Sequence, residues 1–248
     1  MTAHFTDLGW CVPAWSVPGV TAFTTTRAGG LSRAPWDSLN LGDHVGDAPA
    51  SVAANRAILQ SSLPAYTAIQ WLEQVHGDKA VAATGEECPR ADACWTDQPG
   101  VACAVMTADC LPVLFASIDG KRVAAAHAGW RGLLAGVLEQ TLSAMGVKPA
   151  HVQAWLGPAI GPQAFEVGPE VRESFLAAAA DPAAFAPSPR PDHYLADLYL
   201  LARQRLSALG LSQISGGQHC TYRQSSQFFS YRRDGQTGRM ASLILINP

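Results

Sequence analysis

The chain has 248 residues, of which 48% are hydrophobic, and this composition provides enough apolar side chains for a substantial buried core. Seventeen Lys and Arg residues stand against twenty Asp and Glu residues, and neither charge forms a long run. This balance disfavours a nucleic-acid-binding or membrane-binding surface. No segment has the pattern of a secretion signal or of a bilayer-spanning helix. We therefore expect a cytoplasmic protein, a monomer or homodimer, that acts on a small molecule.

The predicted elements mix strands and helices along the chain. Turn residues and hydrophobic periodicity predict, in chain order, a strand at 19–25, a helix at 50–63 with Asp47 as its N-cap, and strands at 101–106, 111–118, 122–127 and 152–156. They then predict a helix at 169–180, a proline-rich loop at 181–192, a helix at 194–209 that ends before Gly210, and strands at 228–232 and 240–246.

Two pairs of these strands are joined by short segments that contain Asp-Gly, at Asp119-Gly120 and Asp234-Gly235. Such turns join antiparallel strands, so we expect an α/β (α+β) fold with largely antiparallel sheets. A Rossmann fold is disfavoured, and neither a dinucleotide-binding nor a Walker glycine pattern is present. No repeat or low-complexity tract divides the chain, and residues 1–248 are expected to form a single domain.

The six cysteines are sparse and form no C-x-x-C pair, which disfavours both a disulfide framework and a structural zinc knuckle. Cys110 differs from the others in its surroundings. If Asp119 and Gly120 are the centre of a two-residue turn, Pro112 lies opposite His127. Cys110 then points to the same face as His127, as its diagonal neighbour. A three-residue loop would instead place the two side chains on opposite faces.

A thiolate with imidazole partners suits zinc, with copper as an alternative. A randomly chosen Cys and His would more often be a small buried hydrophobe and a core histidine. Here the flanking residues favour a site, because Asp109 precedes the cysteine and a Gly129-Trp130-Arg131-Gly132 segment follows the histidine.

Several longer motifs resemble those of one family. They are TTTRAGG at 24–30, NLG at 40–42, HVGD at 44–47, QVHG at 74–77, TADCLPV at 107–113, AHAGWRG at 126–132, GPAIGP at 157–162, FEVG at 165–168, FFSYRRD at 228–234 and TGR at 237–239. Together they cover nearly the whole chain and resemble the YfiH-like family, also called laccase-domain or multicopper polyphenol oxidase proteins and widely described as purine nucleoside phosphorylases.

The resemblance implies a fold, a metal site and an activity. The fold is a four-layer α-β-β-α sandwich, related to that of cytotoxic necrotising factor toxins. The implied zinc ligands are His76, Cys110 and His127. The implied reaction is phosphorolysis of adenosine, inosine, guanosine and methylthioadenosine, with some adenosine deaminase activity. Three protein ligands leave a fourth tetrahedral position open, as expected for a catalytic zinc.

The remaining site assignments concern phosphate, substrate and proton transfer. Arg131 is the preferred phosphate ligand, because Gly129, Gly132 and a following helix N-terminus would supply backbone donors beside it. Arg232 and Arg239 are further substrate-binding candidates, and Trp130 offers an aromatic face for a purine. Asp109 is assigned either to orient a ligand histidine or to act as general acid or base, alongside Cys110 and His127 as catalytic residues. His44 and Cys220 also lie in family-like stretches but are not assigned as ligands.

Three other functions are weighed against phosphorolysis. A copper-dependent polyphenol oxidase is disfavoured because laccase chemistry needs several coppers held by many histidines, whereas this chain has seven scattered histidines and no H-x-H pair. A hydrolase or amidase that cleaves a peptidoglycan precursor would use Cys110 as nucleophile and His127 as base. The third is a non-catalytic metal-binding regulator, motivated by the lack of an evident general base.

Overall fold

The computed structural model describes residues 2–15 and 17–247. The strands are β1 (Val20–Thr24), β2 (Ala68–Gln70), β3 (Ala80–Ala82), β4 (Ala93–Thr96), β5 (Val101–Thr107), β6 (Leu111–Ser117), β7 (Val123–Ala128), β8 (Val152–Leu156), β9 (Glu166–Val167), β10 (Phe185–Pro187), β11 (Tyr194–Ala196), β12 (Gln213–Gly216) and β13 (Met240–Ile246). The helices are α1 (Thr2–Asp7), α2 (Pro49–Ser61), α3 (Trp130–Ala135), α4 (Val137–Met145), α5 (Pro169–Ala177), α6 (Leu198–Ala208) and α7 (Tyr231–Asp234).

Two mixed sheets stack face to face. One has the strand order β1-β13-β5-β2 and the other β12-β8-β6-β7-β4-β3, while β10, β11 and β9 form a small third sheet. Between the two large sheets lies an apolar layer that includes Cys103, Val105 and Ile244 from one sheet and Leu114 and Trp155 from the other. Alternation along each strand directs the remaining residues outward, where helices cover them.

The outer faces complete four layers. The outer face of the four-stranded sheet packs against α1, α2 and their flanking residues, through side chains such as Phe5 and Leu59. The outer face of the six-stranded sheet packs against α4 and α6, for example through Leu138 and Leu206. The implied four-layer α-β-β-α arrangement with largely antiparallel sheets is therefore confirmed. No helix in residues 2–15 and 17–247 is long and apolar enough to cross a membrane.

The β6–β7 hairpin has the predicted register but a different turn. Pro112 pairs with His127, and Ala116 pairs with Val123. The last pair is Ser117 with Arg122, since the Ser117 amide donates to the Arg122 carbonyl oxygen. Four residues therefore connect the strands instead of two. A symmetrical lengthening of the loop leaves the pairing register unchanged, so the predicted face of each side chain was still correct.

The predicted strand at 228–232 is wrong, and so is the hairpin through Asp234-Gly235. Ser230 caps a short helix, α7, by accepting a hydrogen bond from the Arg233 amide, and Gly235 ends it with φ of 69°. The strand β13 instead lies between β1 and β5. Its near-continuous burial is typical of a central strand covered on both faces.

The helix predicted at 194–209 begins later, because Asp197 caps it by accepting from the Leu200 amide, and its first residues form β11. The loop predicted at 181–192 contains a 3₁₀ turn, Pro182–Ala184, and the strand β10. The helices predicted at 50–63 and 169–180 correspond to α2 and α5. Ala48, not Asp47, is the N-cap of α2, since the Asp47 carboxylate accepts hydrogen bonds from Ser32 and Asn40.

Candidate metal centre

The start of β6 and the end of β7 meet at one end of the six-stranded sheet. Cys110 directly precedes β6, and His127 is the penultimate residue of β7. The loop between β2 and β3 adds His76, whose backbone has a positive φ of 61°. The nearest ligand atoms of these three side chains all lie within 4.8 Å of one another. The Cys110 Sγ atom lies 3.9 Å from His76 Nε2, and the two imidazole rings are nearly perpendicular, with centroids 4.8 Å apart.

A buried carboxylate that no sequence pattern predicts organises both histidines. Asp92 Oδ1 accepts hydrogen bonds from His127 Nδ1 at 2.8 Å and from the His76 amide at 2.9 Å. Its Oδ2 accepts from the amides of Val75 at 3.2 Å and Gly77 at 2.7 Å. Asp92 is inaccessible to solvent. It fixes the His76 loop and leaves Nε2 of His127 as the nitrogen available to a metal.

Glycines allow the backbone of α3 to approach this loop. A Cβ atom at Gly129 would lie 2.9 Å from Cys110 Sγ and 3.2 Å from His76 Cδ2. A Cβ atom at Gly132 would lie 2.7 Å from the Gly77 carbonyl oxygen. Both glycines of the GWRG segment are therefore explained by close packing around the three ligand side chains.

The site stabilises a thiolate. Burial by itself raises the pKa of the Cys110 thiol, but the charge and hydrogen bond of His127, together with His76, lower it to about 6. Burial by itself lowers the pKa of His127, but the negative charge of Cys110 and the hydrogen bonds that His127 donates to Asp92 and Cys110 raise it to about 9. Burial also opposes ionisation of Asp92, yet its pKa is lowered because His127 and the backbone amides donate hydrogen bonds to it. At neutral pH, without a metal, these pKa values favour a Cys110 thiolate and a His127 imidazolium.

The donor set fits a transition metal. One thiolate and two imidazoles are ligands that zinc prefers, and an oriented second nitrogen on His127 is typical of metal-binding histidines. A metal ion would replace the proton that His127 holds in the metal-free pair. Among the His, Cys, Asp and Glu side chains of the described ranges, these three form the group whose geometry is suited to holding an ion.

The side chains of His76, Cys110 and His127 open into a cavity of about 390 Å³. Tyr231 and Arg239 line it, although the sequence motifs favoured Arg131 over Arg239 as the phosphate ligand. His44, which was not assigned as a ligand, lines it as well. The other residues of the wall are Gln74, Met106, Thr107 and Ala108.

Arg239 is held as a fixed cation beside the ligands. Its Nη1 donates to the carbonyl oxygens of Thr237 and Gly238 at 3.0 Å, and its amide donates to Asn40 Oδ1 at 2.9 Å. Burial lowers the pKa of Arg239, while the negative charges of Cys110 and Asp109 oppose that shift. In the part of the chain that the structure describes, no carboxylate forms an ion pair with it. A half-buried, unpaired guanidinium of this kind favours binding of an anion.

The structure places the other predicted site residues elsewhere. Arg131 is exposed, its guanidinium lies over the Trp130 ring at 4.5 Å, and neither residue is part of the cavity wall. Arg232 donates through Nη1 to the Glu166 carbonyl oxygen. Asp109 accepts hydrogen bonds from Thr221 Oγ1 and the Arg232 amide, and the carboxylate that accepts a hydrogen bond from His127 is Asp92 instead.

The fold and site together define a class of protein: a two-sheet α/β sandwich with a Cys-His-His centre at the end of the larger sheet. Residues 21–247 match the family model described as multi-copper polyphenol oxidoreductase laccase. The chain belongs to this family, whose YfiH-like members it was found to resemble.

Similar proteins support the same family assignment. A Pseudomonas aeruginosa protein named purine nucleoside phosphorylase is 54% identical over 95% of this chain and 97% of its own length. The Escherichia coli protein named purine nucleoside phosphorylase YfiH is 56% identical over 94% of this chain and 97% of its own length.

Solved structures have the same fold. A Neisseria meningitidis protein matches with a TM-score of 0.91 and 48% identity, over 96% of this chain and 99% of that one. The protein YlmD of Geobacillus stearothermophilus matches with a TM-score of 0.84 and 33% identity, over 93% of both chains.

Proposed function

We propose that this protein is a zinc-dependent purine nucleoside phosphorylase, with copper as the alternative metal. The observation that carries the proposal is the placement of the Cys-His-His group and the unpaired Arg239 in one cavity. Phosphorolysis needs a site for an anion next to the sugar that is attacked, and these two features supply it. The names of the similar proteins support the same reaction.

The substrates proposed are adenosine, inosine, guanosine and methylthioadenosine, each with phosphate, and adenosine deamination is a proposed side reaction. In this scheme Arg239, not Arg131, holds the phosphate oxygens, because Arg239 lines the cavity and no carboxylate of residues 2–15 and 17–247 forms an ion pair with it. His76, Cys110 and His127 hold the metal, which when bound supplies Lewis-acid polarisation of an oxygen ligand. Asp92 keeps His127 in the required orientation.

The state of the cysteines supports the proposed cytoplasmic location. All six cysteines are free thiols, and Cys94 and Cys103 are completely buried. Reduced thiols are usual in the cytoplasm, which supports the proposed cytoplasmic location. The proposed partners are a nucleoside and phosphate, with no nucleic acid or membrane.

One observation favours a second function. Without a metal, the Cys110 thiolate and His127 imidazolium have the charge states of a nucleophile and acid pair in a cysteine hydrolase. A thiolate that is bound to zinc is a poor free nucleophile, so metal content distinguishes the two functions. Multicopper oxidase chemistry finds less support, because the described part of the chain holds one three-residue group of this kind.

The deciding experiment incubates the purified protein with inosine in the presence and absence of phosphate. We expect hypoxanthine and ribose 1-phosphate only with phosphate, as separated by chromatography, and about one zinc per chain by metal analysis, as a three-ligand site requires. Cleavage of a peptidoglycan precursor with inosine untouched, or zinc below a tenth of an equivalent in metal-replete protein, would overturn the proposal.

The phosphate ligand is tested with two arginine variants. Arg239→Gln is expected to lower kcat/KM for phosphorolysis by on the order of 30-fold to 1000-fold, or about 2 to 4 kcal/mol, with zinc retained. Arg131→Gln is the matched control, because it removes an exposed arginine outside the cavity, and we expect near-normal activity. The reverse ranking of the two variants would return the phosphate site to Arg131.

A further inference from the structure

A second cavity adjoins the one that contains the metal ligands. It has a volume of about 320 Å³, and Gly235, Gln236 and Thr237 form part of its wall. His44, Tyr231 and Arg239 line both cavities and thus mark their junction. A nucleoside has two parts, a sugar and a base. If the reacting sugar lies near the metal ligands and Arg239, the second cavity offers room for the base beyond this junction.

His44 is the imidazole at this junction. Its Nδ1 lies 3.5 Å from Asp43 Oδ1, and Asp43 Oδ2 lies 3.1 Å from Arg56 Nη2. Arg56 is fixed in turn, because its Nε donates to the Leu41 carbonyl oxygen and its guanidinium lies 4.4 Å above the Trp71 ring. The Nδ1 side of His44 therefore faces Asp43, which leaves Nε2 for a substrate. A carboxylate beside one imidazole nitrogen orients the ring.

The proposed reaction requires a proton donor for the departing base, and neither the metal ligands nor Arg239 supplies one. When the bond between C1′ and N9 breaks, its electron pair passes into the purine, and the base leaves more readily if N7 receives a proton. Near neutral pH an imidazole is a much better proton donor than a phenol or a guanidinium, which are the other groups at the junction.

We propose that His44 is the general acid that protonates the departing purine base. The inference rests on the proposed phosphorylase function and assigns a further catalytic residue to it. A phosphate oxygen forms a bond to C1′ while the C1′–N9 bond breaks, and N7 takes the proton from His44 Nε2. The products are ribose 1-phosphate and the neutral base. The proton originally on hydrogen phosphate passes to solvent, and His44 regains one from solvent.

Substrates that differ only at N7 test this role. In 7-methylinosine the base already carries a positive charge, so its departure needs no added proton. The full chain with His44→Asn should lose about 100-fold or more in kcat/KM for inosine with phosphate, since general acid catalysis contributes factors of this order. The same variant should process 7-methylinosine within about threefold of the wild-type rate, because that substrate bypasses the acid.

The matched control is His151→Asn. His151 lies at the opposite end of the six-stranded sheet, beside the β6–β7 loop, where its carbonyl oxygen accepts from the Ile118 amide. It should behave as wild type on both substrates. Zinc content and Tm are measured for each variant to establish that the site is intact.

The outcomes separate the two proposals. An equal loss on inosine and 7-methylinosine, or no loss on inosine, would overturn the role of His44 and leave the phosphorylase function standing. A wild-type protein that cleaves neither nucleoside with phosphate would overturn the proposed function and the His44 role together. Selective loss on inosine supports both.

Discussion

At the scale of single residues, Asp92 links the two histidines of the site. One carboxylate accepts four hydrogen bonds, three from consecutive amides around His76 and one from the His127 ring. The amide bonds hold His76 in its left-handed backbone conformation, which a histidine adopts only at some cost in energy. The geometry of the two histidines therefore depends on a residue that is not itself part of the Cys-His-His group.

Substitution of Asp92 should weaken metal binding while all three ligands remain. In Asp92→Asn the charge is lost and one oxygen becomes an NH₂ group that cannot accept a hydrogen bond. We expect zinc affinity to fall roughly 10-fold to 100-fold, as for other groups that orient metal-binding histidines. Competition with a chromophoric chelator measures it. Asp119→Asn, in the exposed β6–β7 loop, is the control, and equal affinities in the two variants would contradict the orienting role.

Whether each of these residues could be predicted depended on whether a sequence pattern marks its position. Cys110 and His127 were brought together by strand alternation and by the register that a turn centred on Asp119-Gly120 sets, because together these fix which side chains share a face. His76 came from the family resemblance, since its position depends on a loop. Asp92, between two alanines, left no pattern that separates it from an ordinary strand-end aspartate. Arg131 was preferred for its neighbouring glycines, but those glycines provide space for Cys110 and Gly77 instead.

At the scale of elements, the segment from α7 to β13 brings Tyr231 and Arg239 to the cavity wall. A hairpin through residues 228–246 would have placed Tyr231 on a strand, whereas the Ser230 cap and Gly235 place it on a short helix at the junction of the two cavities. The NLG motif then positions Arg239, because Asn40 accepts from its amide and Gly42 leaves room for its side chain. Helix capping and close packing between distant segments determine these positions, so hydrophobic periodicity could not predict them.

The contact between α3 and the metal ligands predicts the effect of an added methyl group. Gly129→Ala would place a Cβ atom 2.9 Å from Cys110 Sγ, closer than van der Waals contact, so the thiolate must move. We expect lower zinc occupancy and a lower Tm, measured by metal analysis and thermal unfolding. Gly77→Ala is a control within the same site, since its Cβ meets nothing closer than 3.4 Å. Equal zinc loss in both variants would contradict the steric explanation.

At the scale of the whole molecule, the apolar layer between the two sheets supports the strands that carry the site. Strand alternation assigns residues to faces, but it does not say which sheet a strand joins or what covers it. That is why the four layers followed from the family resemblance rather than from spacing. Leu114 of β6 is completely buried in the layer between the sheets, three residues from where β6 begins beside Cys110. Loss of packing in this layer should therefore lower the stability of the whole fold.

Truncation of Leu114 should therefore reduce global stability without changing the ligand set. Leu114→Ala removes three carbons from a site with no access to solvent, so we expect the free energy of unfolding to fall by about 2 to 5 kcal/mol. For a chain of this size that corresponds to a Tm lower by roughly 5 to 15 °C, measured by calorimetry on metal-loaded protein. Ile118→Ala is the control, since Ile118 lies in the β6–β7 loop with 43% of its surface exposed, and we expect a change within about 0.5 kcal/mol. A similar Tm for the two variants would mean that the layer between the sheets contributes less to stability than its burial implies.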